Sequence, residues 1–538
     1  MLLSLALVCW GRQNWTFYAP AVQQPANQVP RRTVTGTVTN AVSGEPVRRA
    51  LVRLIAPGRN MSALTGADGR FEIEDVPEGT VNLVAQKPGF FDSGSMNAGQ
   101  WRQPDVGFKI TANNDDFRLK LFPAAKIIGR ITDQDGEGIE EVSVEILSEQ
   151  INNGRKQWQP RNMSSTDDDG SYRIDDLLPG RYIAFATGHI VPGSNWNAQQ
   201  QVSAPAYYPD ARDLASAQPI EIEAGEEFRA DFHLRTEPGS LVTGRITGIP
   251  TGSRVNFMLQ NSTRQNIWPQ GISFDQKRGQ FALKAIPSGT WNVVAFANDQ
   301  GNQYEARQEI TASGADISNV VMALQPKAWI PVKVNHAANQ PQPTVEHWPR
   351  NAGVNATLIA ADTFNDGYGM QQDSEARGSV FANVAEGRYK LVVQSFGNEC
   401  VETAWYGNVD LLRDYLVVSS GGEVQPITIN LTSNCATLSA KVQQEEGQRQ
   451  ALLLVVPSSG FAEPRVVPIA MSGAATATFR GMPATLSPGS YQVYAFSSLV
   501  GLEYANPEVL RDYPSQSVDL NAGQKMELTV KLSDPKAN

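Results

Sequence analysis

The chain has few of the side chains that build metal sites and nucleophilic active sites. It has four histidines and three cysteines in 538 residues. The histidines are scattered, and none is followed by glutamate three positions later: His189, His233, His336 and His347. A catalytic zinc ion needs three protein ligands, and a serine or cysteine nucleophile needs a histidine base. We therefore predict a protein that is not an enzyme, with no catalytic residues, no metal site and no cofactor.

Clustered positive charge is also missing. The 45 lysines and arginines are outnumbered by 55 acidic residues, which gives a formal net charge of −10. The longest basic runs are the pairs Arg31-Arg32 and Arg48-Arg49. Binding to nucleic acid depends on clustered Lys and Arg, so a nucleic-acid partner is excluded.

Long hydrophobic runs are absent after the first ten residues. The apolar stretch from Met1 to Trp10 has the character of a signal-peptide core, although no basic segment precedes it, and it is too short to span a membrane. We interpret residues 1–30 as a signal-peptide remnant and linker, and we expect no transmembrane span. The protein is then exported to the periplasm, the outer-membrane surface or the medium; a cytosolic protein is the alternative.

One motif recurs five times along the chain. The first four copies, at residues 68–83, 169–182, 278–291 and 377–389, have a glycine turn, a short alternating strand, a second turn that ends in glycine, and a returning strand. The fifth copy, at residues 478–491, is looser and begins directly with the strand residues Thr478-Phe479-Arg480. In the first copy, Phe71 and Ile73 point to one face and Val81 and Leu83 return to it, which predicts a sheet with a buried side. The second residue after the second glycine is always large and apolar: Val81, Tyr182, Trp291, Tyr389 and Tyr491.

Short strands with frequent turns, in repeats of about 100 residues, are typical of β-sandwiches. We predict an all-β fold, a tandem array of about five Greek-key sandwiches of the transthyretin-like or immunoglobulin-like kind. The predicted bounds are 31–122, 123–236, 237–326, 327–434 and 435–538. Because the links are short and contain proline, we expect a semi-rigid rod.

The first repeat resembles a known family. The run Gly36-Thr37-Val38, Gly44-Glu45-Pro46-Val47, Asp68-Gly69-Arg70-Phe71 and Val76-Pro77-Glu78-Gly79 is similar to the carboxypeptidase regulatory-like domain. That transthyretin-like sandwich, which has a carbohydrate-binding-like fold, accompanies some metallocarboxypeptidases and many bacterial envelope proteins. The second repeat matches equally well, and the third to fifth repeats match progressively less well. It implies a seven-stranded Greek-key sandwich per repeat and an accessory module without catalytic residues.

Five tryptophans in polar, turn-rich stretches are the candidate ligand contacts: Trp101, Trp158, Trp196, Trp268 and Trp348. Exposed loop aromatics would suit a glycan, whereas packing between sandwiches or anchoring of loops is the alternative. The acidic turns at Asp133 to Gly136 and Asp167 to Gly170 carry carboxylates that could hold calcium, but neither has the 12-residue loop with a terminal glutamate. An acidic hairpin turn is the favoured interpretation of both.

Cys400 and Cys435 form the candidate disulfide. An exported protein tends to pair two such cysteines, and closing the loop between them would stabilise the fold by about 3–4 kcal/mol. Two unpaired thiols are the alternative.

These features predict a non-catalytic, exported array that acts as a structural spacer or an adhesion and interaction module at the cell envelope. Its partners would be envelope or extracellular proteins, or polysaccharide. The alternative function is an array of carbohydrate-binding modules that uses loop aromatics.

Overall fold

Strands make up nearly all of the regular structure in the described part of the chain, and the predicted all-β class is confirmed. The helical elements described are α1 (Pro507–Leu510) and a 3-10 turn (Leu214–Ser216). The computed structural model describes residues 31–56, 59–92, 108–110, 116–187, 189–190, 200–261, 266–267, 269, 271–337, 354–361, 367–373, 378–395, 398–443, 451–469, 478–480 and 484–535.

The strands group into five sandwiches, numbered here in chain order. Sandwich 1 contains β1 (Arg31–Asn40), β2 (Leu51–Ala56), β3 (Arg59–Leu64), β4 (Arg70–Pro77), β5 (Gly79–Gln86), β6 (Phe90–Asp92), β7 (Phe108–Ile110) and β8 (Asp116–Pro123). Sandwich 2 contains β9 (Ala125–Thr132), β10 (Ser143–Asn152), β11 (Arg155–Ser165), β12 (Ser171–Leu177), β13 (Gly180–Ala186), β14 (His189–Ile190), β15 (Gln201–Ser203), β16 (Ala206–Tyr207), β17 (Ile220–Ile222), β18 (Glu227–Arg229), β19 (Phe232–His233) and β20 (Thr236–Pro238).

Sandwich 3 contains β21 (Ser240–Thr247), β22 (Val255–Gln260), β23 (Asn266–Ile267), β24 (Gly271–Asp275), β25 (Gln280–Ile286), β26 (Gly289–Asp299), β27 (Asn302–Ala312), β28 (Ile317–Ala323) and β29 (Gln325–Pro326). Sandwich 4 contains β30 (Ala328–Asn335), β31 (Val354–Ala360), β32 (Gly367–Gly369), β33 (Gln371–Asp373), β34 (Gly378–Val384), β35 (Gly387–Ser395), β36 (Cys400–Tyr406), β37 (Val409–Asp410), β38 (Leu416–Val418) and β39 (Ile427–Thr432). Sandwich 5 contains β40 (Ala436–Gln443), β41 (Ala451–Pro457), β42 (Arg465–Ile469), β43 (Thr478–Arg480), β44 (Ala484–Leu486), β45 (Gly489–Phe496), β46 (Gln516–Leu520) and β47 (Lys525–Ser533).

A common pairing scheme repeats in every sandwich. The opening strand pairs antiparallel with the strand of the motif and parallel with the closing strand, as β1 does with β4 and β8, and β30 with β34 and β39. The returning strand of the motif lies in the second sheet, where β5 pairs with β2 and β7, and β35 with β31 and β38. The seventh strand is β3, which pairs with β2 in sandwich 1, or β32, which pairs with β31 in sandwich 4. The scheme therefore uses seven strands, as the family resemblance implies.

The cores of sandwiches 1 to 4 lie between two sheets, whereas in sandwich 5 the pairing of β45 with β47 joins the two sheets into one continuous eight-stranded sheet around the core. In sandwich 1, Phe71, Ile73, Val81 and Leu83 are all buried, as their alternation predicts. Comparable buried clusters fill the other sandwiches. Two compact units divide the chain: the first contains sandwich 1, and the second, from Phe122 onward, contains sandwiches 2 to 5.

A glycine in the opening strand lets an aromatic ring of the motif pack across it. A Cβ atom added at Gly129 would lie 1.9 Å from the carbonyl oxygen of Ala230 and 2.7 Å from the ring of Tyr172. The Tyr172 hydroxyl in turn donates to that carbonyl at 2.6 Å. Gly36 and Gly244 occupy the same position in sandwiches 1 and 3, so the close approach of the ring requires glycine in these three sandwiches.

The large residue after the second glycine closes the second turn of the motif with a hydrogen bond from the polar atom of its side chain. The Tyr182 hydroxyl donates to the Leu178 carbonyl at 2.6 Å, and Trp291 Nε1 donates to the Pro287 carbonyl at 2.8 Å. Tyr389 and Tyr491 make the same bond to the carbonyl four residues earlier. The glycines before them have φ between +143° and +157°, a region that L residues rarely enter.

Candidate functional site: the junctions of the second compact unit

The predicted tryptophan contacts are placed only in part. Trp101, Trp196, Trp268 and Trp348 lie outside the described residues. Trp158 lies on strand β11 rather than in a loop, and it is half-buried against the apolar cluster that joins sandwiches 2 and 3. The polar residues around it gave the appearance of a loop because β11 is an edge strand with few apolar side chains.

Sandwiches 2 and 3 share a continuous apolar core. One cluster joins Phe185 and Tyr207 of sandwich 2 to the interior of sandwich 3, and those two rings lie 4.7 Å apart. Asn261 Nδ2 donates to the Tyr207 hydroxyl at 3.1 Å across the junction. Because a packed interior shared by two domains resists their relative movement, this junction is rigid and does not act as a hinge.

Sandwiches 3 and 4 meet at a polar cleft of about 240 Å³. Glu305 lies at its edge, where its side chain is 13% exposed and pairs with Arg307 and with Lys327 at 2.9 Å. Burial alone would raise the pKa of Glu305, but the two cations outweigh it and hold the pKa below its ordinary value. Asn383 completes the contact, since its side chain accepts from the Gln303 backbone and donates to the Gly301 carbonyl.

The predicted disulfide is confirmed, and it stands where sandwich 4 meets sandwich 5. Cys400 begins β36, and Cys435 immediately precedes β40, with 5.8 Å between the two Cα atoms. Nearby, the Ser487 hydroxyl of sandwich 5 donates to the Val401 carbonyl of sandwich 4 at 2.7 Å. The bridge therefore fixes the short link between these sandwiches as well as closing a loop.

A fourth junction joins sandwich 2 to sandwich 5. The hairpin turn between β10 and β11 places Gly154 against Tyr504, and the Ala505 amide donates to the Gly154 carbonyl at 3.0 Å. A Cβ atom at Gly154 would lie 2.5 Å from the Tyr504 ring, and Gly154 has φ of +75°. Both the turn and the close approach therefore require glycine.

A buried carboxylate ties three sandwiches together at this fourth junction. Glu463 of sandwich 5 accepts two hydrogen bonds from Arg155 of sandwich 2, at 2.7 and 2.8 Å, and pairs with Lys390 of sandwich 4 at 2.6 Å. The Glu463 and Lys390 side chains are only 13% and 11% exposed. Burial by itself raises the pKa of Glu463, but the hydrogen bonds from Arg155 and Lys390 prevail and lower it.

Further contacts reinforce this cluster. Lys390 Nζ lies 4.9 Å from the centre of the Phe461 ring, which packs edge-on against Tyr415 of sandwich 4. Lys156 of sandwich 2 pairs with Glu503 of sandwich 5 at 3.2 Å. The expected rod is therefore wrong for sandwiches 2 to 5: the first and last of them touch, because short links turn the chain back on itself as readily as they extend it.

The aspartates of the two acidic turns accept hydrogen bonds from backbone amides of the same turn. Asp167 Oδ1 accepts from the amides of Asp169 and Ser171, and Asp133 Oδ1 accepts from those of Asp135 and Glu137. Each carboxylate thus closes its hairpin turn, as the favoured interpretation predicts. In the part of the chain that the structure describes, no three His, Cys, Asp or Glu side chains gather as a metal site.

Two histidines have described side chains, and both have local partners. His233 Nδ1 lies 2.7 Å from the Thr132 hydroxyl, and His336 Nδ1 lies 2.7 Å from Glu399. No helix among the described residues is long and apolar enough to cross a membrane.

Comparison with known proteins gives one family match. Residues 33–100 match the carboxypeptidase regulatory-like domain. No curated protein matches the chain.

Solved structures of two pilins and of one further bacterial protein are similar to the chain at low sequence identity. The minor pilin GBS52 of Streptococcus agalactiae is 12% identical, with a TM-score of 0.21, over 41% of this chain and 99% of that one. The major pilin subunit BcpA of Bacillus cereus is 9% identical, with a TM-score of 0.16, over 55% and 99%. The TIE protein of Bacillus anthracis is 13% identical, with a TM-score of 0.18, over 55% of this chain and 51% of that one, so the chain spans about half its length.

The family match covers the opening strand and the first copy of the motif, the same residues that carry the resemblance in the sequence. Residues 33–100, in sandwich 1, are therefore similar to the carboxypeptidase regulatory-like domain.

Proposed function

We propose that the protein is a non-catalytic, exported array that serves as a structural spacer or as an adhesion and interaction module at the cell envelope. The observation that carries this proposal is the ion cluster of Glu463, Arg155 and Lys390, which joins three sandwiches. A buried cluster of this kind is specific in geometry and fixes how its elements are arranged. It is the feature expected of a scaffold that must hold a set shape.

The filled interiors of the sandwiches support the same role. Phe257 and Phe281 of sandwich 3, with ring centres 5.2 Å apart, show how the space between two sheets is occupied by the protein's own side chains. A ligand would therefore meet loop tips, sheet faces or the grooves between sandwiches. The Cys400–Cys435 bridge adds support for export, since disulfides persist in oxidising compartments.

Fractionation of the native bacterium with an antibody against this protein tests the proposal. We expect the protein in the envelope or extracellular fraction, and we expect the purified chain to leave panels of peptide and glycoside substrates unchanged. Retention in the cytosol would contradict export. Turnover of any substrate by rigorously pure protein would contradict the non-catalytic role.

Carbohydrate binding is the second candidate function. Two tryptophans of sandwich 4, Trp329 and Trp405, are 37% and 38% exposed, so each presents part of an aromatic ring to a ligand at the surface. A glycan array probed with the wild type and with Trp101→Ala and Trp196→Ala tests whether the loop tryptophans contribute. Loss of a polysaccharide signal in either variant would favour this candidate, whereas protein partners without a glycan signal would favour the scaffold.

A further inference from the structure

The larger sheet of sandwich 4 presents an outer face with an unusual mixture of side chains. Its strands run in the order β33, β34, β30, β39, β36, β37. On β30, Ile330 and Val332 are buried in the core, so Trp329 and Lys333 point outward. Lys333 pairs with Thr428 of β39, which in turn pairs with Trp405 of β36. Trp329 and Trp405 therefore lie on the same face.

Polar side chains form a hydrogen-bonded ladder across three strands of this face. Asn335 Nδ2 donates to Asn430 Oδ1 at 2.7 Å, and Asn430 Nδ2 donates to the Thr403 hydroxyl at 2.7 Å. The ladder joins side chains of three adjacent strands. The Thr403 hydroxyl keeps its own proton to donate, and each amide oxygen has a further lone pair. Donors and acceptors for a ligand are therefore already oriented.

The two tryptophans are well separated along this face. Along β30, Trp329 lies four residues from Lys333. Across the sheet, Trp405 lies two strands from Lys333. With about 3.3 Å per residue and about 4.8 Å between strands, their Cα atoms are about 16 Å apart. An extended polymer can reach both rings, whereas a small molecule cannot.

From this arrangement we infer that the outer face of the β30–β39–β36 sheet binds a neutral polysaccharide chain. Sugar rings have an apolar C–H face that packs on an aromatic ring and a rim of hydroxyl groups that bond to amides and threonines. The face offers both, and the paired residues Lys333, Thr428, Trp405 and Asp410 include one cation and one anion. The inference rests on the second candidate function and not on the scaffold role.

Other partners fit this face less well. A protein partner favours a contiguous apolar centre, but here Lys333 and Thr428 lie between the two exposed tryptophans. Binding to a nucleic acid needs several cations. Among the paired residues Lys333, Thr428, Trp405 and Asp410, Lys333 is the one cation. An anionic polysaccharide would need the same positive charge.

Native electrophoresis in gels cast with a soluble polysaccharide tests the inference on the full chain. The probes are mixed-linkage β-glucan, xylan and dextran as neutral polymers, with alginate as an anionic one. We expect at least one neutral polymer to slow the wild type, with a loss of affinity of about tenfold in Trp405→Ala, the scale of one aromatic contact. Trp329→Ala should weaken the same binding.

Matched variants separate loss of binding from loss of fold. Trp405→Tyr keeps an aromatic ring and should retain most of the affinity, and Lys333→Ala on the same face should change it less than about twofold. If Trp405→Ala melts at a lower temperature than the wild type, Trp405→Thr replaces it, because threonine has a higher preference for strands than alanine. Unchanged scattering profiles and melting curves in these variants would leave the scaffold role intact whatever the binding result.

Three results would overturn the inference. The first is that no neutral polymer slows the wild type. The second is equal slowing of the wild type, Trp405→Ala and Trp405→Thr, which would place the binding elsewhere. The third is slowing by alginate alone, which would indicate binding driven by charge.

Discussion

Glu463→Gln is the sharpest test of how sandwiches 2, 4 and 5 are held together. The substitution keeps the shape of the side chain and one hydrogen-bond acceptor but removes the charge that Arg155 and Lys390 share. Lys390, 11% exposed, is then left without its anionic partner. Breaking a buried ion pair on one side costs about 3–5 kcal/mol, and because glutamine retains an acceptor we expect about 2–4 kcal/mol here.

Amide hydrogen exchange at Ala505 measures this loss directly. The Ala505 amide bonds to the Gly154 carbonyl across the junction, so it exchanges when sandwich 2 separates from sandwich 5. A loss of about 2–4 kcal/mol corresponds to exchange that is faster by about thirtyfold to several hundredfold.

Glu508→Gln is the matched control because Glu508 lies in α1, close to Ala505 in the chain, and its ion pair with Arg511 is exposed: the Glu508 and Arg511 side chains are 68% and 71% exposed. An exposed pair contributes little, so Ala505 should exchange at the wild-type rate in this variant. If Glu463→Gln also exchanges at the wild-type rate, the ion cluster does not hold the junction and the reasoning fails.

Acidification should open the same junction in the wild type. The folded-state pKa of Glu463 lies below its ordinary value of 4.5 because the bonds from Arg155 and Lys390 outweigh burial. A lowered pKa means that the stabilisation is complete above pH 4.5 and is lost as the pH falls through the folded-state value. The acid-induced rise in Ala505 exchange, corrected for intrinsic rates, should be smaller in Glu463→Gln.

Three further predictions concern the repeat itself. Gly129→Ala should destabilise its sandwich by about 2–3 kcal/mol in denaturant melts, because the added Cβ would lie 1.9 Å from a carbonyl oxygen; Gly369→Ala, with no neighbouring atom within 4 Å, should have little effect. Tyr182→Phe should cost about 1 kcal/mol, and since burial raises the pKa of Tyr182 to about 12, the variant should lose less stability than the wild type between pH 10 and 12. Replacing Cys400 and Cys435 together by serine should cost about 3–4 kcal/mol, and an equal melting curve with and without reductant in the wild type would argue against a stabilising bridge.

The repeat could be predicted from the sequence because its signals are local. The alternation of Phe71 and Ile73 fixes which face is buried, and the positions of the turn glycines fix where the chain reverses. The same alternation places Trp329 between inward-facing Ala328 and Ile330, so its outward direction was readable too. Its exposure was not, because that depends on whether another element covers the sheet.

The large residue after the second glycine shows the limit of such patterns. The sequence marks its size at five positions, but the pattern suits a purely apolar residue equally well. The structure shows that Tyr182 and Trp291 use a polar atom to bond a carbonyl four residues earlier, which Val81 cannot do. Tyrosine or tryptophan is thus favoured by a hydrogen bond as well as by burial.

The sequence by itself determined the number of sandwiches and the faces that are buried, because these follow from a recurring local motif and from strand alternation. Only the tertiary structure decided how the sandwiches of the second compact unit meet. Arg155 and Glu463 are 308 residues apart, and nothing near either of them in the sequence distinguishes it from an ordinary surface charge. Their pairing depends on the angles at three intervening junctions, which are set by packing that no local pattern encodes.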